Sequence, residues 1–85
     1  MDGVNVTGRI TRIGEGRFVE TRYGRATVAT AVLEDDTGSI LLNLWRNQIT
    51  QVKVGNIVRV ENGFARVFRD QLELNVGSRG RIAVL

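Results

Sequence analysis

Phe64, Arg66 and Phe68 recur at every second position of "GFARVF" (63–68), with Ala65 and Val67 between them. In an extended chain these two sets point to opposite sides. Two rings flanking a planar guanidinium make a surface that takes a flat partner by stacking and an anion through the arginine fork. Trp45, at the end of "SILLNLW", and Tyr23, in "TRYGR", add two more rings of the same kind. Covalent chemistry has far less to work with. The chain holds no cysteine and no histidine, which excludes disulfides, thiolate or histidine metal sites, Ser–His–Asp triads and Cys–His dyads. One motif has catalytic precedent, "DTG" at 36–38, because aspartic proteases share a proton between two such loops. Here Glu34 and Asp35 precede it where those enzymes run an apolar strand, and no flap-like segment follows. It reads as a turn, with Asp36 or Thr37 bonding nearby backbone and Gly38 supplying a positive φ. The expectation is a binding protein, not an enzyme, with no metal and no cofactor.

The formal charge is +3, and eleven of the twelve basic residues are arginine, Lys53 being the other. That bias suits phosphate, but heat adaptation or GC-rich coding produces it as well, so charge makes nucleic acid plausible and no more. Eighty-five residues with 42% apolar content fit one domain, residues 1–85, able to bury roughly 60–65% of its surface. No run approaches the roughly 20 apolar residues of a membrane span. The start, "MDGVNVTGRI", lacks a signal-peptide pattern, so a cytoplasmic place is expected and the "NVT" sequon at Asn5 is idle.

The elements that must position these side chains are strands. Valine, isoleucine and threonine dominate the long segments, and there is no proline. The segments are 4–13, with Gly8 marking a bend or bulge; 26–35; 39–45 after the turn "DDTG"; 56–68; and 71–76, joined to the fourth by Arg69 and Asp70. A short extended piece covers Arg17 to Thr21, "RNQITQVKVG" (46–55) has room for a helical turn, and "RIAVL" offers a last pairing or a small helix. Five strands with one helical interruption between the third and fourth describe an all-β, five-stranded Greek-key OB-fold barrel. An SH3-like barrel has a similar count but not that insertion.

Alternation then assigns the faces. Ile40, Leu42 and Leu44 form an unbroken apolar set, so Trp45 and Leu41 fall on the outer face. Leu72, Leu74 and Val76 read as core opposite Glu73 and Asn75. In 56–68 the core begins with Val58 and Val60, and unbroken parity would bury Asn62, Phe64, Arg66 and Phe68. An unpaired buried arginine costs several kcal/mol. A bulge at Asn62–Gly63, with Gly63 at positive φ, adds one residue and reverses the parity. Ala65 and Val67 then continue the core while Phe64, Arg66 and Phe68 face out beside Trp45. Every base has a π-face, so such a platform suits unpaired bases. It also suits a protein partner, since exposed aromatics and arginine anchor interfaces.

"LEDDTGSILLNLW" (33–45), followed by "VENGFARVFRDQLELNVG" (60–77), resembles the simple OB-fold single-stranded DNA-binding proteins of archaea. Eukaryotic relatives in the sensor-of-single-stranded-DNA complex and, more distantly, the OB domains of replication protein A share the pattern. The likeness runs from "VNVTGRI" to "GSRGRIAVL". It implies that Trp45, Phe64 and Phe68 stack on bases, with Phe64 standing where the family has tryptophan or tyrosine. It also implies a groove passing the loop between the first two strands, which puts Arg17, Val19 and Arg22 near the nucleic acid. Tyr23, Arg66 and Arg69 complete the expected binding set. Asp70 replaces a usual glycine in the hairpin and adds an acid near the DNA. The family often carries a disordered, glycine-rich tail for protein partners; this chain ends at Leu85, so tail functions are absent or were removed, and replication or repair proteins stand as partners beside single-stranded DNA. The implied activity is sequence-tolerant binding that protects single strands in replication, recombination or repair. An OB-fold protein-interaction module or a single-stranded RNA-binding protein are the alternatives.

Overall fold

β-branched segments became strands, and the pairing of those strands decides which face each side chain reaches. A computed structural model describes residues 2–85. Its elements run β1 (Asp2–Ile13), β2 (Arg17–Thr21), β3 (Gly24–Asp35), β4 (Gly38–Trp45), α1 (Gln48–Gln51), β5 (Ile57–Phe68), β6 (Gln71–Asn75) and β7 (Arg81–Val84). β1 pairs antiparallel with β3, β3 with β4, and β6 with β5, while β4 and β6 run parallel. β5 returns antiparallel to β1 and closes the ring. This is the OB arrangement, with β2 added to β3 and β7 added to β5. The short piece and the last pairing expected from the sequence are these two added strands. The helical turn is α1.

One strand has to serve two neighbours for the ring to close. β1 pairs with β5 through its first half and with β3 through its second. Gly8 sits at the changeover, where a Cβ would lie 2.7 Å from the Glu34 carbonyl oxygen. Glycine is needed there for close approach of two backbones. The enclosed core comprises Ile10, Leu33, Leu42, Leu44, Val58, Val60 and Leu74, with Val52, just after α1, at one end.

The parity of β5 reverses as expected, but by a different residue. Val4 faces Gly63 and Val6 faces Val60, so β5 holds one residue more than β1 between those pairs. Val58, Val60, Gly63 and Ala65 are buried in consequence. The positive φ belongs to Asn62, at 55°, and Gly63 does not share it. Asn62 is tied down there by two bonds, its Nδ2 donating to the Arg79 carbonyl at 3.1 Å and its backbone N–H donating to Asn5 Oδ1 at 3.0 Å. Gly63 answers a different need, because a Cβ on it would lie 3.0 Å from both the Asn75 carbonyl oxygen and Val60 Cγ1.

Two expected core residues are outside. Val67 is 71% exposed and Leu72 52%. They pair with each other next to the Arg69–Asp70 turn. The pairing of β4 with β6 begins only at Leu41 and Glu73, so the end of the β5–β6 hairpin passes the rim of the ring and has no layer beneath it. The turn itself takes positive φ at both Arg69 (51°) and Asp70 (64°), as a two-residue hairpin of the right twist requires. In "DDTG", the acid that closes the turn is Asp35 and not Asp36. Its carboxylate accepts from the Thr37 backbone N–H at 2.8 Å and the Thr37 hydroxyl at 2.7 Å. Gly38 supplies the positive φ, at 146°.

Candidate nucleic-acid interface

Strand register carries the outer-face side chains into rows. Phe64 stands opposite Asn75 on β6, Asn75 beside Asn43 on β4, and Asn43 opposite Thr30 on β3. In the adjacent row Arg66 faces Glu73, and Glu73 lies beside Leu41. Trp45 pairs with Val28, which in turn pairs with Arg17 of β2. One curved face therefore collects an aromatic from each of two strands and an arginine from β5.

The polar residues under this face hold one another. Thr30 Oγ1 donates to Asn43 Oδ1 at 2.9 Å, and Asn43 Nδ2 donates to Glu73 Oε1 at 2.7 Å. Asn43 is buried although it points outward, and these bonds satisfy the amide that burial would otherwise penalise. Trp45 is fixed from both ends. Its indole Nε1–H donates to Asn75 Oδ1 at 3.0 Å, and its backbone N–H donates to Gln48 Oε1 at 2.9 Å. Gln48 then donates from Nε2 to the Val76 carbonyl at 3.1 Å. These bonds restrain the indole before any ligand arrives, so less freedom remains to be lost on binding. The Arg66 guanidinium carbon lies 5.1 Å from the Phe64 ring centre, and that of Arg69 lies 5.3 Å from the Phe68 ring centre. Both are within cation–π range.

Tyr23, Trp45, Phe64 and Arg66 line a single open hollow of about 640 Å³, together with Arg46 and Asn75. Among the described residues no carboxylate lines it. Phe68, 57% exposed, continues the Phe64–Arg66 face toward the hairpin turn but does not line the hollow, and Arg69 accompanies it in that turn. Arg17 and Val19 lie on β2 beyond Val28 and Ala26, with Val19 half-buried and Arg17 exposed. Arg22 sits exposed in the turn between β2 and β3. The hollow thus gathers four of the nine expected residues and leaves Phe68, Arg69, Arg17, Val19 and Arg22 along its margins or outside it.

Sequence reasoning missed Arg46, Asn75 and Gln48. Arg46 follows Trp45 with φ at 54°, a conformation uncommon for a residue with a side chain. Among the described residues its side chain makes no hydrogen bond or ion pair, and its backbone N–H donates to the Thr27 carbonyl at 2.8 Å. Nothing in the alternation of "SILLNLW" announces this turn. Asn75 and Gln48 show only once β6 and α1 are brought beside Trp45.

Solved structures share this fold, and named sequences share much of this chain. A solved OB domain from Thermoplasma acidophilum superposes with a TM-score of 0.85 at 29% identity, over 98% of this chain and 74% of that one. The single-stranded DNA binding protein Ssb of Saccharolobus solfataricus is 37% identical over 83 residues, which are 98% of this chain and 56% of that protein. Replication factor A of Methanothermobacter thermautotrophicus is 34% identical over 80 residues, 93% of this chain and 10% of that protein. The chain thus spans little more than half of one relative and a tenth of the other. Both are named for DNA binding or replication and not for catalysis. Residues 4–84 match the model of the Ssb-like OB-fold single-stranded DNA-binding proteins, and the chain belongs to that family.

Proposed function

We propose that this chain binds single-stranded DNA with little base readout, stacking bases on Trp45, Phe64 and Phe68 while Arg66 and neighbouring arginines meet phosphate. One observation carries the reading: Tyr23, Trp45, Phe64 and Arg66 converge on one open hollow that no acid lines. The physical case follows from what each polymer exposes. In a duplex the base faces are already stacked on one another, so surface rings gain nothing from them. A single strand offers those faces, at roughly 1–3 kcal/mol for each base stacked. Rings bind any base, and the guanidinium binds a phosphate that every nucleotide carries, so sequence matters little. Tyr23 on the β2–β3 turn, with Arg17, Val19 and Arg22 behind it, extends the same face. Arg69 does so beside Phe68.

The names of the relatives support a role at exposed single strands in replication; recombination or repair, and a place inside the cell at the nucleoid, extend that proposal. Among the described residues no helix is long and apolar enough to cross a membrane. The test is an equilibrium titration with oligo-dT, oligo-U and a blunt duplex of equal length at several salt concentrations. Oligo-dT should bind best over a site within roughly 4–16 nucleotides. Its affinity should fall as salt rises, because each arginine–phosphate contact releases a counterion. Equal or tighter binding to the duplex would end this reading. Preference for oligo-U would transfer it to RNA, where contacts to the 2′-hydroxyl decide.

A further inference from the structure

We propose that the bound strand continues past Arg46 and Asn47 into a second hollow, where Phe18 is a further stacking residue and Arg25 and Arg46 meet its phosphates. This rests on the single-strand reading above and extends its path. The second hollow, of about 620 Å³, lies between the β2–β3 hairpin and α1 and is lined by Phe18, Arg25, Thr27, Arg46, Asn47 and Ile49 among others. Arg46 and Asn47 line the first hollow as well. The two are therefore neighbours across one corner of the backbone, and a chain leaving Trp45 over that corner enters the second directly.

Three further observations point to the same occupant. Phe18 is 76% exposed and contributes nothing to the core. It pairs with Thr27 on the face of β2 opposite to Val19, so the hairpin offers an aromatic on each side, Tyr23 toward the first hollow and Phe18 toward the second. No carboxylate lines either hollow, whereas Arg66 lines the first, Arg25 the second, and Arg46 both. Arg25 does approach Glu20, at 3.5 Å, but both side chains are largely exposed, and such a pair is weak enough to yield to phosphate. Finally, the corner is a set feature. Arg46 holds a positive φ of 54° while its backbone is bonded to Thr27. Its guanidinium, without a partner among the described residues, lines both hollows at their junction. A single exposed phenylalanine is unremarkable; one that shares an acid-free rim with two arginines and adjoins a stacking groove matches a polyanion with flat bases.

The test is a length series. Trp45 fluorescence is titrated with oligo-dT from 4 to 16 nucleotides, using the wild-type chain, Phe18→Ala and Arg25→Ala, with melting curves to verify folding. Both variants should match wild type on the shortest oligonucleotides that bind. On the longest, Phe18→Ala should lose roughly 5- to 150-fold in affinity, the equivalent of one stacked base, and should cover fewer nucleotides at saturation. Arg25→Ala should show a smaller loss and a shallower salt dependence, again only on long strands. If both variants follow wild type at every length, the second hollow is unused and the inference falls while the groove reading stands. If wild type binds none of the series, the groove reading falls first and takes this one with it.

Discussion

Cutting Phe68 back to alanine should cost binding and leave the fold standing. Phe68 is the cleanest probe because Trp45 is half-buried and bonded to Asn75, so its loss would disturb both properties. At 57% exposure, Phe68 keeps less than half of its surface from water. Full burial of a phenylalanine is worth about 1.5–3 kcal/mol, so this truncation removes about 1 kcal/mol of it. Loss of the exposed Arg69–Phe68 contact adds about 0.5 kcal/mol. A buried phenylalanine cut to alanine loses about 3–5 kcal/mol instead. Affinity for oligo-dT should meanwhile drop by about 1–3 kcal/mol, the value of one stacked base. Urea denaturation and fluorescence titration on the same preparation give both numbers. A variant that has lost about 3–5 kcal/mol of stability, yet binds normally while folded, would refute the reasoning, because Phe68 would then be a packing residue.

Leu42→Ala is the converse case: Leu42 is fully buried, so denaturation should show a loss of about 2–5 kcal/mol, with oligo-dT affinity of the folded fraction unchanged. Gly63→Ala should destabilise by about 1–3 kcal/mol, since the new methyl meets the Asn75 carbonyl and Val60 at 3.0 Å; a neutral result in urea would show that β5 and β6 have room to separate. The Asp35 carboxyl is held below the usual carboxylate value, chiefly by the Thr37 hydroxyl and then by the Thr37 backbone N–H. A depressed folded value means that this turn's contribution is present above the unfolded value and is lost as pH falls through the folded one. An NMR titration should accordingly find Asp35 moving up toward an ordinary carboxylate in Thr37→Ala.

β-branched composition and flanking glycines were enough to find every long strand and the bounds of β2, and alternation the outward face of Trp45, because each of these is a local property of the chain. The reversal in β5 was legible for an energetic reason: without it Arg66 would be buried unpaired. What alternation does not contain is distance along the ring. Val67 and Leu72 alternate like core residues, and only the point where β4 stops pairing with β6 shows that the core has already ended. Gly63 illustrates a second limit. A glycine beside an asparagine invites a positive φ at the glycine, whereas here Asn62 takes it and Gly63 makes room for β6. Asn43 reads as an exposed polar residue of β4 and is buried, because Thr30 and Glu73, 13 and 30 positions away, supply its partners. Within the candidate site the rings announced themselves by type and spacing. Arg46, Asn75 and Gln48 did not, since their roles depend on a turn, a parallel pairing and one short helix meeting at the same indole.

The claim that single strands stack in the hollow around Trp45 is tested most directly by NMR, with oligo-dT added to the labelled protein. The Trp45 indole Nε1–H and the ring signals of Phe64 and Phe68 should move first and furthest, with ring-current shifts on the thymine resonances. The Arg66 side chain should follow, and the fully buried Leu42 and Leu74 should stay still. Shifts confined to β7 and the far side of β5, with the Trp45 indole unmoved at saturation, would contradict the account.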